Sequence, residues 1–261
     1  MKDKLWNLYS KHKQTYKEIA DSEHINIKTV QKRLDKSNIK QENIKPCDIV
    51  LIMDTTFFVG FGVMVFRSQE LKKNLYWKYV KTERIDDYTA GVEHLQKQGW
   101  KILAIVCDGR RGIFNAFKDI PVQMCQFHQC QIVTRYITKN PKLSASIELK
   151  KLMLILVKTD KASFKWLLEE WHERWKEFLK EKSYNPETKK YCFTHRRLRS
   201  AYRSLKSNLE HLFVFEDYHR LNIPNTTNSL DGSFGHLKIK VNVHRGLKKH
   251  RKIKLIDQLL S

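Results

Sequence analysis

Two apolar runs constrain this chain most. DIVLIMD (Asp48–Asp54) and KILAIVCD (Lys101–Asp108) are each continuous, rich in Ile and Val, and closed by an acid. Runs of that length and composition read as buried strands. VMVF (Val63–Phe66) and LYWKYVK (Leu75–Lys81) follow the first run, with Gly60 and Gly62 loosening the chain before them. Those three segments predict an antiparallel meander. Asp86–Trp100 has Tyr88, Val92 and Leu95 on one helical face, with Gly99 as its stop. A short helix around Ile113–Phe117 and a strand VQMC (Val122–Cys125) come next. From about Gln126 to Tyr218 the pattern is almost entirely helical. From Thr226 it gives one more helix and then a basic tail. The expected class is therefore α/β, a sheet interrupted by a large helical block.

The acids at the strand ends carry the chemistry. If the two strands lie side by side, Asp54 and Asp108 converge at one sheet edge, and they repel unless a cation sits between them. Mg²⁺ suits such a pair, because it takes oxygen ligands and keeps waters. The plainer alternative is that each Asp caps the turn that follows it, in DTTFF and DGRRG. A third carboxylate stands in NTTNSLDGSFGHLK (Asn225–Lys238), where Asp231 is the only acid. Packed beside the same edge, it would complete a two-metal site that clamps attacking and leaving oxygens. Glu210 and Glu216, upstream in the helical block, are the competing candidates.

Charge points to the partner. Of 261 residues, 50 are Lys or Arg and 28 are Asp or Glu, a formal net charge of +22. An excess of that size favours a polyanion, because Lys and Arg neutralise phosphates and release counterions. Gln14–Lys36 reads as helix, turn, helix. Ile19, Ala20, Ile25, Val30 and Leu34 form its shared core, and Asn26 caps the second helix. His24 stands where a turn favours glycine. The second helix would present Lys28, Thr29, Gln31, Lys32 and Arg33 to a DNA major groove. Two further runs are candidate DNA surfaces. THRRLRSAYRSLK (Thr194–Lys206) sets Arg196, Arg199 and Arg203 on one face. KIKVNVHRGLKKHRKIK (Lys238–Lys254) carries Arg245, Lys248 and Lys249, and contains no acid.

Other classes recede. No apolar stretch is long enough to span a bilayer, and the N-terminus lacks the apolar run of a signal peptide. The five cysteines, Cys47, Cys107, Cys125, Cys130 and Cys192, include no CxxC pair, which fits a reducing cytoplasm. Cys125 and His128 form a C-x-x-H pair. They could give two ligands to zinc, with Cys107 or Cys130 in support. The alternative is a buried Cys and a hydrogen-bonded His at the start of a helix. The tryptophans Trp77, Trp100, Trp166, Trp171 and Trp175 read as packing residues.

In order and spacing, these pieces resemble bacterial insertion-sequence transposases of the Mutator-like class. LIMDTTFF resembles the family's first acid region and the stretch from Trp77 to Ile113 the approach to its second. QMCQFHQ is similar to the Cys-x-x-His motif after the fifth strand. NTTNSLDGSFGHLK resembles the helix that carries the final acid, and VHRGL (Val243–Leu247) the tail beyond. Two departures stand out. Asp231 occupies the position of the family's Glu, and no zinc ribbon precedes the first helices.

The resemblance implies an RNase H-like mixed sheet with a large all-helical insertion, preceded by a small helix-turn-helix. The segments would be 1–40 for the helix-turn-helix, 46–140 for the first part of the core, 141–221 for the insertion, and 222–261 for the last core helix and tail. It implies that Asp54, Asp108 and Asp231 hold two Mg²⁺ ions, with Mn²⁺ as a substitute, and that Cys125 and His128 are accessories of the active site. His128 would position the scissile phosphate or water. The implied activity is cleavage of transposon ends and their joining to target DNA. The partners would be double-stranded inverted repeats and target DNA, bound by a homodimer or larger assembly in the bacterial nucleoid, with no membrane. Two alternatives stay open, a nuclease or resolvase using the same carboxylates, and a transposase-derived DNA-binding regulator that lost activity with its Glu.

Overall fold

The computed structural model describes residues 2–37, 43–187, 189–244 and 246–261. The chain divides into two units, Met1–Lys45 with Asn228–Ser261, and Pro46–Thr227. Residues 38–42, between the helix pair and the first strand, lie outside the described residues. No described helix is long and apolar enough to cross a membrane.

In the first unit, α1 (Lys2–Trp6) runs into a π-helical turn at Asn7–Lys11. α2 (Tyr16–Ser22) opens on a capping box. Thr15 Oγ1 accepts the Glu18 N–H at 3.3 Å, and the Glu18 carboxylate accepts the Thr15 N–H at 2.6 Å. α3 (Ile27–Asp35) starts at Asn26, whose Oδ1 accepts the Thr29 N–H at 2.8 Å. Between these helices His24 adopts a φ of 52°, a left-handed conformation that a residue with a Cβ enters at some cost. Ile19, Ala20, Val30 and Leu34 are buried as the pattern requires, and Ile25 is half-buried.

The second unit is α/β, built on a five-stranded mixed sheet. β1 (Asp48–Phe58), β2 (Phe61–Ser68) and β3 (Asn74–Val80) form the antiparallel meander. α4 (Ile85–Lys97) then leads to β4 (Lys101–Cys107), which lies parallel to β1. Short α5 (Ile113–Ala116) leads to β5 (Val122–Met124), parallel to β4. The order is β3-β2-β1-β4-β5. Ile49 to Met53 are fully buried, so both faces of central β1 are covered, which is why its sequence does not alternate. α4 packs closely where it meets β2, since a Cβ on Gly91 would fall 2.0 Å from the Phe66 ring.

α6 (Gln126–Ile137), α7 (Ser144–Ile155), α8 (Lys161–Lys180) and α9 (Arg196–Leu212) build a helical core around Leu149, Phe164, Leu168, Leu205 and Phe213. Trp171 is buried and donates to the Ala145 carbonyl at 3.0 Å, whereas Trp166 is 60% exposed and packs little. A hairpin, β6 (Lys182–Asn185) and β7 (Lys190–Phe193), interrupts this block, which the sequence pattern read as almost entirely helical. Its strands are too short and too exposed to display a period of two. α10 (Val214–Asp217) follows α9. Three buried glutamines pin β5 and α6 to α9. Gln123 and Gln126 each donate to the Leu212 carbonyl at 2.9 Å, and Gln129 donates to Ser204 Oγ at 2.7 Å. Buried amides without such partners would cost about 1–3 kcal/mol each.

α11 (Asn228–Val243) and α12 (Lys249–Leu260) belong to the first unit. The expected basic tail is thus a helix, with Leu255, Ile256 and Leu260 buried beneath its lysines and Arg251. The Arg251 guanidinium grips Asp35 through Nε at 3.1 Å and Nη2 at 2.7 Å. Tyr9 stacks on Tyr16 and lies 3.9 Å from the His244 ring, which burial shifts below the usual imidazole range.

Candidate functional site

Strand register brings the two acids into phase. β1 and β4 pair Leu51 with Ile105 and Ile52 with Val106. Two residues further along the chain are Asp54, still within β1, and Asp108, the first residue past β4. Parallel neighbours in register project equivalent side chains from the same face, about 4.8 Å apart. β1 continues here against β2, with Asp54 opposite Val65, so Asp54 sits on a firm strand and is buried. β4 has ended, and Asp108 stands half-exposed at the head of a loop. Gly109 holds that loop against β5. Its φ is +75°, and a Cβ there would lie 2.5 Å from Met124 Sδ.

Each carboxylate is oriented by a backbone donor. Asp54 Oδ1 accepts the Thr55 N–H at 2.7 Å, and Asp108 Oδ1 accepts the Arg110 N–H at 3.0 Å. The turn-capping role weighed for these aspartates is therefore present at Asp108. It occupies one of about four lone-pair sites on that carboxylate.

α6 adds a histidine. A ring nitrogen of His128, at the third residue of α6, lies within 4.8 Å of an Asp54 carboxylate oxygen, and Asp108 stands outside this close set. Thr227 fixes the surroundings. Its N–H and its hydroxyl both donate to Cys125 Sγ at 3.3 Å, and its Oγ1 lies 3.5 Å from His128 Nδ1. Burial pushes the Cys125 thiol up. Hydrogen bonding and charge from His128, with Thr227, outweigh it and leave the thiol below the usual cysteine range. Burial raises Cys107, and it raises Cys130 to about 11. Among the described residues no cysteine joins a cluster of three metal-ligating side chains, so the zinc arrangement with Cys107 or Cys130 does not form.

Asp231 lies half-buried in the first turn of α11, in the first unit. Its competitors are engaged with the start of α8. Glu216 accepts the Lys161 N–H at 3.0 Å, and Glu210 pairs with the Lys161 ammonium at 2.5 Å. On α3, Lys28 and Lys32 are exposed, while Gln31 and Arg33 are half-exposed. Thr29 serves the cap, its hydroxyl donating to Asn26 Oδ1 at 2.9 Å. Arg196 and Arg203 are exposed on α9. Arg199 is not available as expected, because it donates to the Leu179 carbonyl at 2.6 Å and lies over the Phe193 ring at 3.6 Å. Lys248 and Lys249 are exposed, and Arg245 lies outside the described residues.

Sequence reasoning missed four residues around the acids. Thr55 and Arg110 stood in the turns after the acids, Tyr88 on a helical face, and Glu83 was not singled out. The contacts that join them, Thr55 with Tyr88 and Glu83 with Arg110, span 33 and 27 residues, so no local spacing marks them. No protein-family model matches the chain, and no curated protein matches it.

Proposed function

We propose that the chain is a metal-dependent DNA transposase of the Mutator-like class, with an RNase H-like core and a helical insertion. One observation carries the reading: an acid on β1 and an acid just past the end of the adjacent parallel β4, each two residues beyond the paired Ile52 and Val106, with an imidazole beside the buried one. A mixed sheet followed by a helical block after its fifth strand is what such a core implies. The charge of +22 and the exposed cations of α3 and α9 support a DNA substrate.

The donors fit a divalent cation. Carboxylate oxygens suit Mg²⁺, and an added imidazole nitrogen suits Mn²⁺. Asp54 and Asp108 would hold it, with His128 beside Asp54. A cation held there supplies Lewis-acid stabilisation of the charge that builds on a phosphodiester. Asp54 brings an anion already desolvated by burial. Asp108, on its glycine-backed loop, faces solvent and substrate. Thr227 orients the His128 ring, which can hold or pass a proton at the edge of the site.

Asp231 is assigned as the third acid from chain order. Thr227 is tied to Cys125, and Asp231 follows it by four positions in the chain. Asp is one bond shorter than the family's Glu, about 1.5 Å, so reach decides between enzyme and regulator. The test is labelled end DNA with Mg²⁺ or Mn²⁺. Wild type is expected to nick and join, Asp231→Ala to do neither, and Asp231→Glu to remain active. Activity only after Glu is installed would support the regulator reading. A Cys–His nucleophile is disfavoured, because Cys125 is fully buried and already accepts two hydrogen bonds.

A further inference from the structure

We propose that Glu83 is a positioning residue, the joint through which the Asp54 strand and the Asp108 loop are held in one arrangement. This rests on the metal-site reading above and adds to it a residue that touches neither acid. The Glu83 side chain is 13% exposed and bonds on both oxygens. One accepts the Tyr88 hydroxyl, and the other accepts Arg110 Nη1 at 2.9 Å.

The bonds form a continuous path from one acid to the other. Tyr88 is fully buried, and its oxygen lies 3.2 Å from Thr55 Oγ1. Burial first, then the nearby Glu83 and Asp108 charges, push its phenol far above the ordinary range, so it keeps its proton. That single proton goes to Glu83, and Thr55 must therefore donate to the Tyr88 oxygen. Thr55 in turn gives its N–H to Asp54, and Arg110 gives its own N–H to Asp108. The path runs Asp54, Thr55, Tyr88, Glu83, Arg110, Asp108. Only the ends carry an oxygen toward the proposed ion.

Removing Glu83 breaks the path at its centre. Arg110 loses the anion that holds its side chain, and the buried Tyr88 hydroxyl loses its acceptor. Outer partners of ligating groups are worth about 10–100-fold in metal affinity or activity. The experiment compares wild type with Glu83→Gln in the full chain. Mn²⁺ binding is titrated by its resonance signal without DNA, and amide exchange is measured over the Thr55 and Arg110 segments without metal. We expect Mn²⁺ affinity to fall about 10–100-fold and exchange at both segments to accelerate together. Tyr88→Phe, nearly isosteric, covers the case in which Glu83→Gln folds poorly. It should move both readouts the same way by less, and adding it to Glu83→Gln should cost nothing further. Wild-type exchange and wild-type Mn²⁺ affinity in Glu83→Gln would overturn the inference. Coupled exchange with no Mn²⁺ binding even in wild type would keep the joint and sink the metal reading.

Discussion

The sheet edge and the α9 face were both picked out by spacing, and they differ in what became of it. At the edge, Asp54 on β1 and Asp108 just past β4 stand at equal offsets from the paired Ile52 and Val106. On α9, the middle arginine of three is consumed by Leu179 and Phe193. Strand pairing is arithmetic with a period of two, so residues equally distant from paired neighbours must share a face. A helical spacing of three and four names a face but not what packs on it. The hairpin that captures Arg199 lies in a segment whose sequence gave no sign of strands, so the loss could not be foreseen.

The largest expected effect tests the edge. Asp54→Asn keeps shape and removes charge. Cleavage of end DNA should fall at least about 10³-fold, as for other electrostatic deletions at a reacting centre, while DNA binding measured by gel shift stays near wild type. Cleavage within a few-fold of wild type would break the comparison on its stronger side.

The next effect concerns α3, which was legible because its caps are local. Asn26, the left-handed His24 and the buried Val30 and Leu34 all follow from residues within a few positions of one another. Gln31→Ala and Lys32→Ala should each weaken binding to specific ends by about 1–3 kcal/mol if they read bases. Random DNA should lose less. Equal losses on both, measured by competition titration, would reduce α3 to a phosphate-contacting face.

A smaller effect belongs to the exposed pair on α9. Arg196→Ala with Arg203→Ala should weaken all DNA alike and reduce the salt slope by about 1.8, near 0.9 per lost phosphate contact. An unchanged slope would mean that these arginines are only solvated.

What was legible and what was not follows one division. The strands, α4, the helix pair at the N-terminus and the acids at the strand ends depend on patterns within one element or on one pairing. The hairpin, the helical nature of the last basic segment and the Thr55–Tyr88–Glu83–Arg110 path depend on contacts between distant segments. α12 shows the middle case. Ile256 and Leu260 are spaced four apart on one buried face, but Lys249, Lys252 and Lys254 ahead of them dominate the composition. Composition suggested a tail where periodicity already held a helix.

The smallest expected effect on DNA is at Arg199, and it separates the two readings of a basic face. Its guanidinium lies over the Phe193 ring and donates to the carbonyl of Leu179, near the end of α8. A cation over a ring contributes about 0.5–2 kcal/mol, and a hydrogen bond about 1 kcal/mol. Arg199→Ala should therefore lower stability by about 1–3 kcal/mol, read as a denaturant midpoint, with affinity and salt slope on DNA unchanged. Arg199→Lys keeps the charge but not the planar stack, and should lose most of the same stability. A phosphate contact predicts the reverse pattern. Lys would then preserve binding, Ala would reduce the slope by about 0.9, and neither would move the midpoint much. Either outcome is decided by measuring both quantities on the same two variants.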